Sequence, residues 1–342
     1  MLLHCDEILH SSELRPFVTI DARLEERNGL VQESNHKSTD LAMRFLDPRL
    51  PRCYACIWAA RARDLLNAEI FGMPSLELDD VSLFYLQRGR GPDVVWIPGG
   101  DNVADDWEDQ FRAFEKDFRN TSFDPRGAGR TVSRRDPPWL IVDYAADCAA
   151  LIRSVCTPPV VVVGLSMGSK IVLQLALDYP DLVRAGIAMG VSGRPAGFLK
   201  EWLEAEVEFR RQGGKLSPAF AICHYAAFMF PSEVLGDEAL WAKVKPYVAR
   251  SYGEREGELL AAQWQACIDY DITRRLPDCT VPVHVVAFSE DMQTPQQHGR
   301  RVAELMPKGR FHLLKGLGHC SLSGHQPDKV NDCIGGILAE YR

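Results

Sequence analysis

The sequence predicts an α/β protein: a mostly parallel, doubly wound sheet interrupted by one helical insertion. Three observations carry that expectation. From Leu76 to the end of the chain, short apolar runs alternate with helix-length amphipathic segments, the pattern of parallel strands joined by crossover helices. Residues 193–276 break the alternation, offering several helix-length segments and no convincing strand. Four β-branched residues at 160–163 run into Gly164-Leu165-Ser166-Met167-Gly168 and then an apolar helical pattern, so that a buried strand meets a helix through a sharp turn.

Taken in order, residues 1–73 are expected to form a weakly structured N-terminal extension, polar and charged from Glu13 to Asp47, with one amphipathic segment at 56–70. Its Cys53-x-x-Cys56 has no second pair at ligand spacing and reads as ordinary thiols. Residues 76–78 and 81–87 read as strands turning at Asp79-Asp80, and 94–97 as a third. The third ends in Pro98-Gly99-Gly100-Asp101, a tight loop whose backbone N–H groups can face an anion. A helix over 107–118 and a strand over 121–123 follow, then the loop Asp124-Pro125-Arg126-Gly127-Ala128-Gly129-Arg130. Arg126 beside Asp124 reads as a loop-fixing ion pair, and Gly127-x-Gly129 lacks the third glycine and following helix of a dinucleotide site.

A helix over 144–155 places Ala145, Cys148, Ala149 and Ile152 on one face and leads to the 160–163 strand. Beyond the serine turn, 186–189, 283–287 and 310–314 read as strands, and 294–305 and 329–341 as helices. The core is thus expected at 74–192 and 277–342, with 193–276 as a helical cap built from segments near 198–212, 219–229, 239–250 and 256–269. Phe220, Tyr225 and Phe230 in its aromatic stretch read as packing residues, and Phe228 and Met229 as candidates for a substrate pocket.

Bulk properties narrow the function. A chain of 342 residues with 46% hydrophobic residues can bury a sizeable core. A net charge of -8 opposes nucleic acid and anionic membrane as partners. No apolar run reaches the roughly 18 residues of a spanning helix, and Asp6 and Glu7 stand too early for a secretory signal. Ten scattered cysteines suggest reduced thiols and a cytoplasmic setting. A small, apolar molecule is the expected substrate and partner. Neither a metal site nor a nucleotide motif is visible, so no cofactor is expected.

In the turn, Gly164 and Gly168 permit the tight backbone that lifts the Ser166 hydroxyl clear of the sheet. A serine hydroxyl needs a base to take its proton and an acid to orient that base. Of nine histidines, His4, His10 and His36 lie in the extension, His224 and His284 in apolar segments, His298 in a helix and His312 in a strand. His319 sits in Gly316-Leu317-Gly318-His319, at the C-terminal end of a strand where such sheets place reactive groups, with His325 as fallback. Asp291, in the loop after the 283–287 strand, is the candidate acid; Glu290 is adjacent, and Asp291 could instead cap the next helix.

GLSMG, FDPRGAGR, FSEDMQTP and GLGHCSL, in that order, resemble the nucleophile elbow, arginine loop, acid loop and histidine loop of the α/β-hydrolase fold superfamily, over residues 76–342. The resemblance implies that Ser166 attacks an acyl carbon, that His319 acts as base and then acid, and that Asp291 orients it. It also implies an oxyanion hole from the backbone N–H groups of Gly100 and Met167. Pro98-Gly99 stands where many members have His-Gly, which leaves a backbone donor unaffected. Within the superfamily the chain resembles capped esterases, enol-lactonases and C–C bond hydrolases, with proline iminopeptidases as rivals for their glycine-rich loop and a non-catalytic ligand-binding relative as the remaining alternative. Met167 after the serine favours esters or lactones over the iminopeptidases, which usually carry tryptophan there.

Overall fold

The computed structural model describes residues 74–252 and 257–342; the extension, its Cys53-x-x-Cys56 and its amphipathic segment lie outside the described residues. The strands are β1 (Ser75–Glu77), β2 (Val81–Gly89), β3 (Asp93–Ile97), β4 (Arg119–Phe123), β5 (Val132–Ser133), β6 (Val160–Leu165), β7 (Val183–Met189), β8 (Val283–Phe288) and β9 (Gly309–Leu314). They form one sheet in the order β1-β2-β4-β3-β6-β7-β8-β9, with the two-residue β5 on β2. Every pair from β4 across to β9 is parallel, while β2 runs antiparallel to its neighbours. Every residue of β3, β6 and β8 is buried. Since alternate side chains point to opposite faces, both faces of the sheet centre are covered.

The covering helices are α1 (Glu108–Phe114), α2 (Ile141–Val155), α3 (Met167–Asp178), α9 (Gln296–Leu305) and α10 (Pro327–Leu338). Ala145, Cys148, Ala149 and Ile152 recur at helical spacing on α2 and are all buried, with α2 packed on α3. Between β7 and β8 come α4 (Phe198–Arg211), α5 (Pro218–Met229), α6 (Ser232–Gly236), α7 (Glu238–Tyr252) and α8 (Gly257–Ile268), with no strand between them among the described residues. Within this insertion α4 packs on α8, and α5 on α7. No helix among the described residues is long and apolar enough to cross a membrane.

Several local expectations are corrected. The helix expected over 107–118 is a 3-10 turn at Ala104–Trp107 followed by α1, which stops at Phe114. Phe118 donates its N–H back to Phe114 O at 2.9 Å, and its ring meets that of Phe114 edge-on, so the chain leaves the helix in time to enter β4. Phe220 is 59% exposed rather than core, whereas Tyr225 and Phe230 are buried. Arg126 does not pair with Asp124. Its guanidinium lies between Asp147 (Nε to Oδ2, 2.6 Å) and Asp80 (Nη2 to Oδ1, 2.6 Å), and Asp124 instead holds Arg130 at 2.8 Å. Gly129 explains the loop's shape: at φ 57°, a Cβ there would stand 2.2 Å from Asp124 Oδ2.

A buried histidine stacked on a half-buried one is expected to give the fold a pH dependence. His284 on β8 has no exposed surface; its Nδ1 is 2.9 Å from His312 Nε2, and its Nε2 is 2.9 Å from the Tyr341 hydroxyl. Burial, reinforced by His312, lowers its pKa from 6.5 to about 4. Between those values the unfolded chain binds a proton that the folded chain refuses, so stability present above pH 6.5 is lost as pH falls towards 4. His284→Asn is therefore expected to flatten the fall of the urea midpoint across that window. Equal slopes in the two proteins would remove His284 as the cause.

Candidate active site

Ser166 lies between the last residue of β6 and the first of α3, with φ 56° and ψ −117°, a conformation a non-glycine residue adopts at a cost of about 1–3 kcal/mol. Its neighbours enforce it. A Cβ on Gly164 would stand 2.3 Å from Gly168 O, and one on Gly168 would stand 2.1 Å from Ile97 O, so at both positions backbone occupies the side chain's place. The Ser166 N–H donates to Met189 O at 3.0 Å, fixing the turn to the end of β7.

Asp291 follows β8 and His319 follows β9, at the same C-terminal edge of the sheet. Both are buried, and His319 Nδ1 is 2.7 Å from Asp291 Oδ2. The carboxylate has no spare acceptor capacity. Its Oδ1 accepts the N–H groups of Gln293 (2.9 Å) and Thr294 (2.8 Å), and its Oδ2 also accepts the Thr294 hydroxyl at 2.6 Å. Asp291 thus fixes the turn before α9 and contacts the imidazole at once; it is not the helix cap, a place that Pro295 takes. Room for the ring comes from Gly190, where a Cβ would stand 2.9 Å from His319 Cε1. The other imidazole nitrogen, Nε2, is buried and has no hydrogen-bond partner. His319 and Ser166 line one cavity together with Gly100 and Met167. Glu290 is exposed and accepts from Ser289, and His325 is engaged with Ser321 Oγ at 3.0 Å outside that cavity.

The insertion adds a further part of the cavity wall: Trp202 on α4, Met229 on α5, and Trp264 and Cys267 on α8. Phe228 is not part of that wall; it packs one layer out, its ring 5.2 Å from that of Trp202. One residue that sequence reasoning missed is Gln263 on α8, fully buried. Its Oε1 accepts the N–H of Asp101 at 2.6 Å, and its Nε2 donates to Arg126 O at 2.6 Å. Asp101 has φ 61°, so Gln263 secures a strained residue directly after Gly100. A glutamine in an otherwise apolar helix segment was the only signal, and it named no partner. Among the described residues no three His, Cys, Asp or Glu side chains gather as a metal site requires.

A serine on a strained turn and a carboxylate-bound imidazole with an unpaired nitrogen meet in one cavity, an arrangement that can support acyl transfer. The model of the alpha/beta hydrolase family matches residues 94–332, which include all of them. BpoC of Mycobacterium tuberculosis, named as a non-heme bromoperoxidase, is 30% identical over 263 residues, covering 74% of this chain and 96% of that protein. Its crystal structure matches with a TM-score of 0.72 at 27% identity, over 76% of this chain and 96% of that one. RutD of Caulobacter vibrioides, named as a carbamate hydrolase, is 25% identical over 234 residues, 68% of this chain and 84% of that protein. The enol-lactonase of Burkholderia xenovorans shares the fold, with a TM-score of 0.69 at 20% identity over 78% of this chain and all of that one.

Proposed function

The chain belongs to the alpha/beta hydrolase family, and from that premise we propose that it hydrolyses an ester, lactone or related acyl bond of a small molecule through an acyl-enzyme on Ser166. The observation that carries this reading is His319: its Nδ1 is held by Asp291 at 2.7 Å, while its Nε2 is buried without a partner in the cavity that Ser166 lines. An acceptor nitrogen kept dry and unpaired suits the removal of a hydroxyl proton.

In this mechanism Ser166 Oγ attacks the acyl carbon as its proton passes to His319 Nε2. Asp291 stabilises the resulting imidazolium without taking the proton itself. The carbonyl oxygen becomes an oxyanion, facing the backbone N–H groups of Gly100 and Met167, each such donor contributing about 3 kcal/mol to the transition state. The imidazolium protonates the leaving oxygen, water repeats the sequence on the acyl-enzyme, and the acid product departs. Attack by hydrogen peroxide instead of water would give a peracid, the outcome that BpoC's name brings into the substrate screen.

An aminopeptidase must hold its substrate's free ammonium, and neither Asp nor Glu lines this cavity, so the iminopeptidase reading lacks a partner for its substrate. We place the protein in the cytoplasm, a reading supported by seven cysteines that are free thiols among the described residues.

The test is labelling of the intact protein by a fluorophosphonate, with the adduct located by peptide mass spectrometry and turnover screened on acyl esters, lactones and aminoacyl amides. An adduct on the Ser166 peptide is expected. An unlabelled protein, or one labelled elsewhere, would return the chain to the ligand-binding alternative.

A further inference from the structure

Beside Ser166 the cavity wall includes a buried lysine that makes no ion pair among the described residues. Lys170 lies one helical turn beyond Ser166 on α3, is 6% exposed, and lines the cavity. Its Nζ donates to Ser192 O at 3.2 Å and to Ser192 Oγ at 3.5 Å, and stands 5.1 Å from the centroid of the Tyr270 ring. All of these partners are neutral. Lys170 makes no ion pair among the described residues, and no carboxylate side chain lines the cavity.

Lysine is almost never buried without a partner, because removing an ammonium from water is costly unless an opposite charge replaces the lost hydration. Burial holds its pKa below the ordinary lysine value, with only Cys267 and Asp271 acting the other way. A second donor points to the same conclusion: Trp202, also on the cavity wall, has its indole Nε1 buried without a hydrogen-bond partner. A buried lysine without a carboxylate partner and an indole N–H without an acceptor thus belong to one cavity wall, and an anion is a ligand that could accept from both.

We propose that the substrate carries a carboxylate bound by Lys170 Nζ, which makes Lys170 the residue that determines substrate class. Trp202, on the same cavity wall, would offer its unpartnered indole N–H to that anion or to a neighbouring substrate oxygen. The claim about turnover rests on the acyl-hydrolase reading above; the claim about binding does not. A lysine serving only to tie α3 to Ser192 would affect charged and neutral substrates alike.

The matched probes are p-nitrophenyl hemiglutarate and p-nitrophenyl valerate, the same acyl chain with and without a terminal carboxylate. The wild type should favour the hemiglutarate in kcat/KM by at least about 10-fold, and Lys170→Met should lower that substrate by about 100-fold while leaving the valerate within about 3-fold. Lys170→Gln, which keeps a donor to Ser192, should behave like Lys170→Met. A wild type with no preference, or variants that lose both substrates equally, would overturn the proposal, and if neither variant folds the wild-type preference decides alone. If neither ester is turned over, the hydrolase reading falls by itself, and calorimetric binding of the hemiglutarate to Ser166→Ala protein takes over. There, binding about 100-fold weaker on adding Lys170→Met sustains the proposal, and unchanged binding ends it.

Discussion

Asparagine in place of Asp291 is expected to lower kcat about 10⁴-fold while leaving the fold intact. The reason lies in the four bonds to the carboxylate. Its Oδ1 accepts two backbone N–H groups, from Gln293 and Thr294, so the carboxamide oxygen of an asparagine must take that position. The NH2 group then occupies the Oδ2 site, 2.7 Å from His319 Nδ1, and donates to it. Nδ1 becomes an acceptor, the ring proton moves to Nε2, and Nε2 can no longer take the serine proton. Thr294 Oγ1 loses nothing, since it can accept where it previously donated. Ser166→Ala should set the floor, at about 10⁶-fold below wild type. Steady-state rates on a p-nitrophenyl ester, with circular-dichroism melts as the control for folding, measure both; a loss under about 10-fold for Asp291→Asn would remove Asp291 as the orienting acid.

Arg126→Leu should destabilise the protein by about 3–5 kcal/mol, because it strands a buried carboxylate. The guanidinium is 4% exposed and makes two hydrogen bonds to Asp147, itself 4% exposed, and two to the half-exposed Asp80. Burial disfavours the arginine's charge, but its bonds to Asp147 and Asp80 outweigh that and raise its pKa. Asp147 is held above the ordinary carboxylate range by its burial, even with Arg126 beside it. Without the arginine, Asp80 can rehydrate and Asp147 cannot. The double variant Arg126→Leu/Asp147→Leu should recover most of the loss, since replacing both members of a buried pair by apolar groups is far milder than removing one. Urea midpoints of the three proteins decide it, and a single variant within about 1 kcal/mol of wild type would contradict the account.

What could be read from the sequence was what local pattern dictates. Four valines at 160–163 can only be a buried strand, and a serine between glycines after it can only be a tight turn; both appear, with Gly164 and Gly168 pressed against backbone. The positions of Asp291 and His319 were legible because loops at the C-terminal ends of parallel strands lie at one edge of the sheet, and each residue follows such a strand. Pairings across long separations were not. Arg126 finds Asp80 at 46 residues' distance along the chain, and Gln263 finds Asp101 at 162, while the nearby Asp124 was the wrong partner. Phe228 and Met229 are neighbours in sequence, yet α5 turns Met229 to the cavity and Phe228 to Trp202, a choice set by how the insertion packs. Lys170 looked like any helix residue until its burial was known.

Gln263 bears on how this protein could acquire a new activity. The helix that presents Trp264 and Cys267 to the substrate also fastens, through Gln263, the strained residue beside Gly100. On the proposed function, one helix therefore bears on both the substrate wall and the loop that holds Gly100. A sequence drifting towards a new substrate by altering α8 would disturb the strained loop beside Gly100 that Gln263 holds, whereas α4 and α5 make no hydrogen bond of that kind to it among the described residues. Adaptation is thus channelled towards Leu199, Trp202, Leu203 and Met229, the cavity residues that those two helices supply.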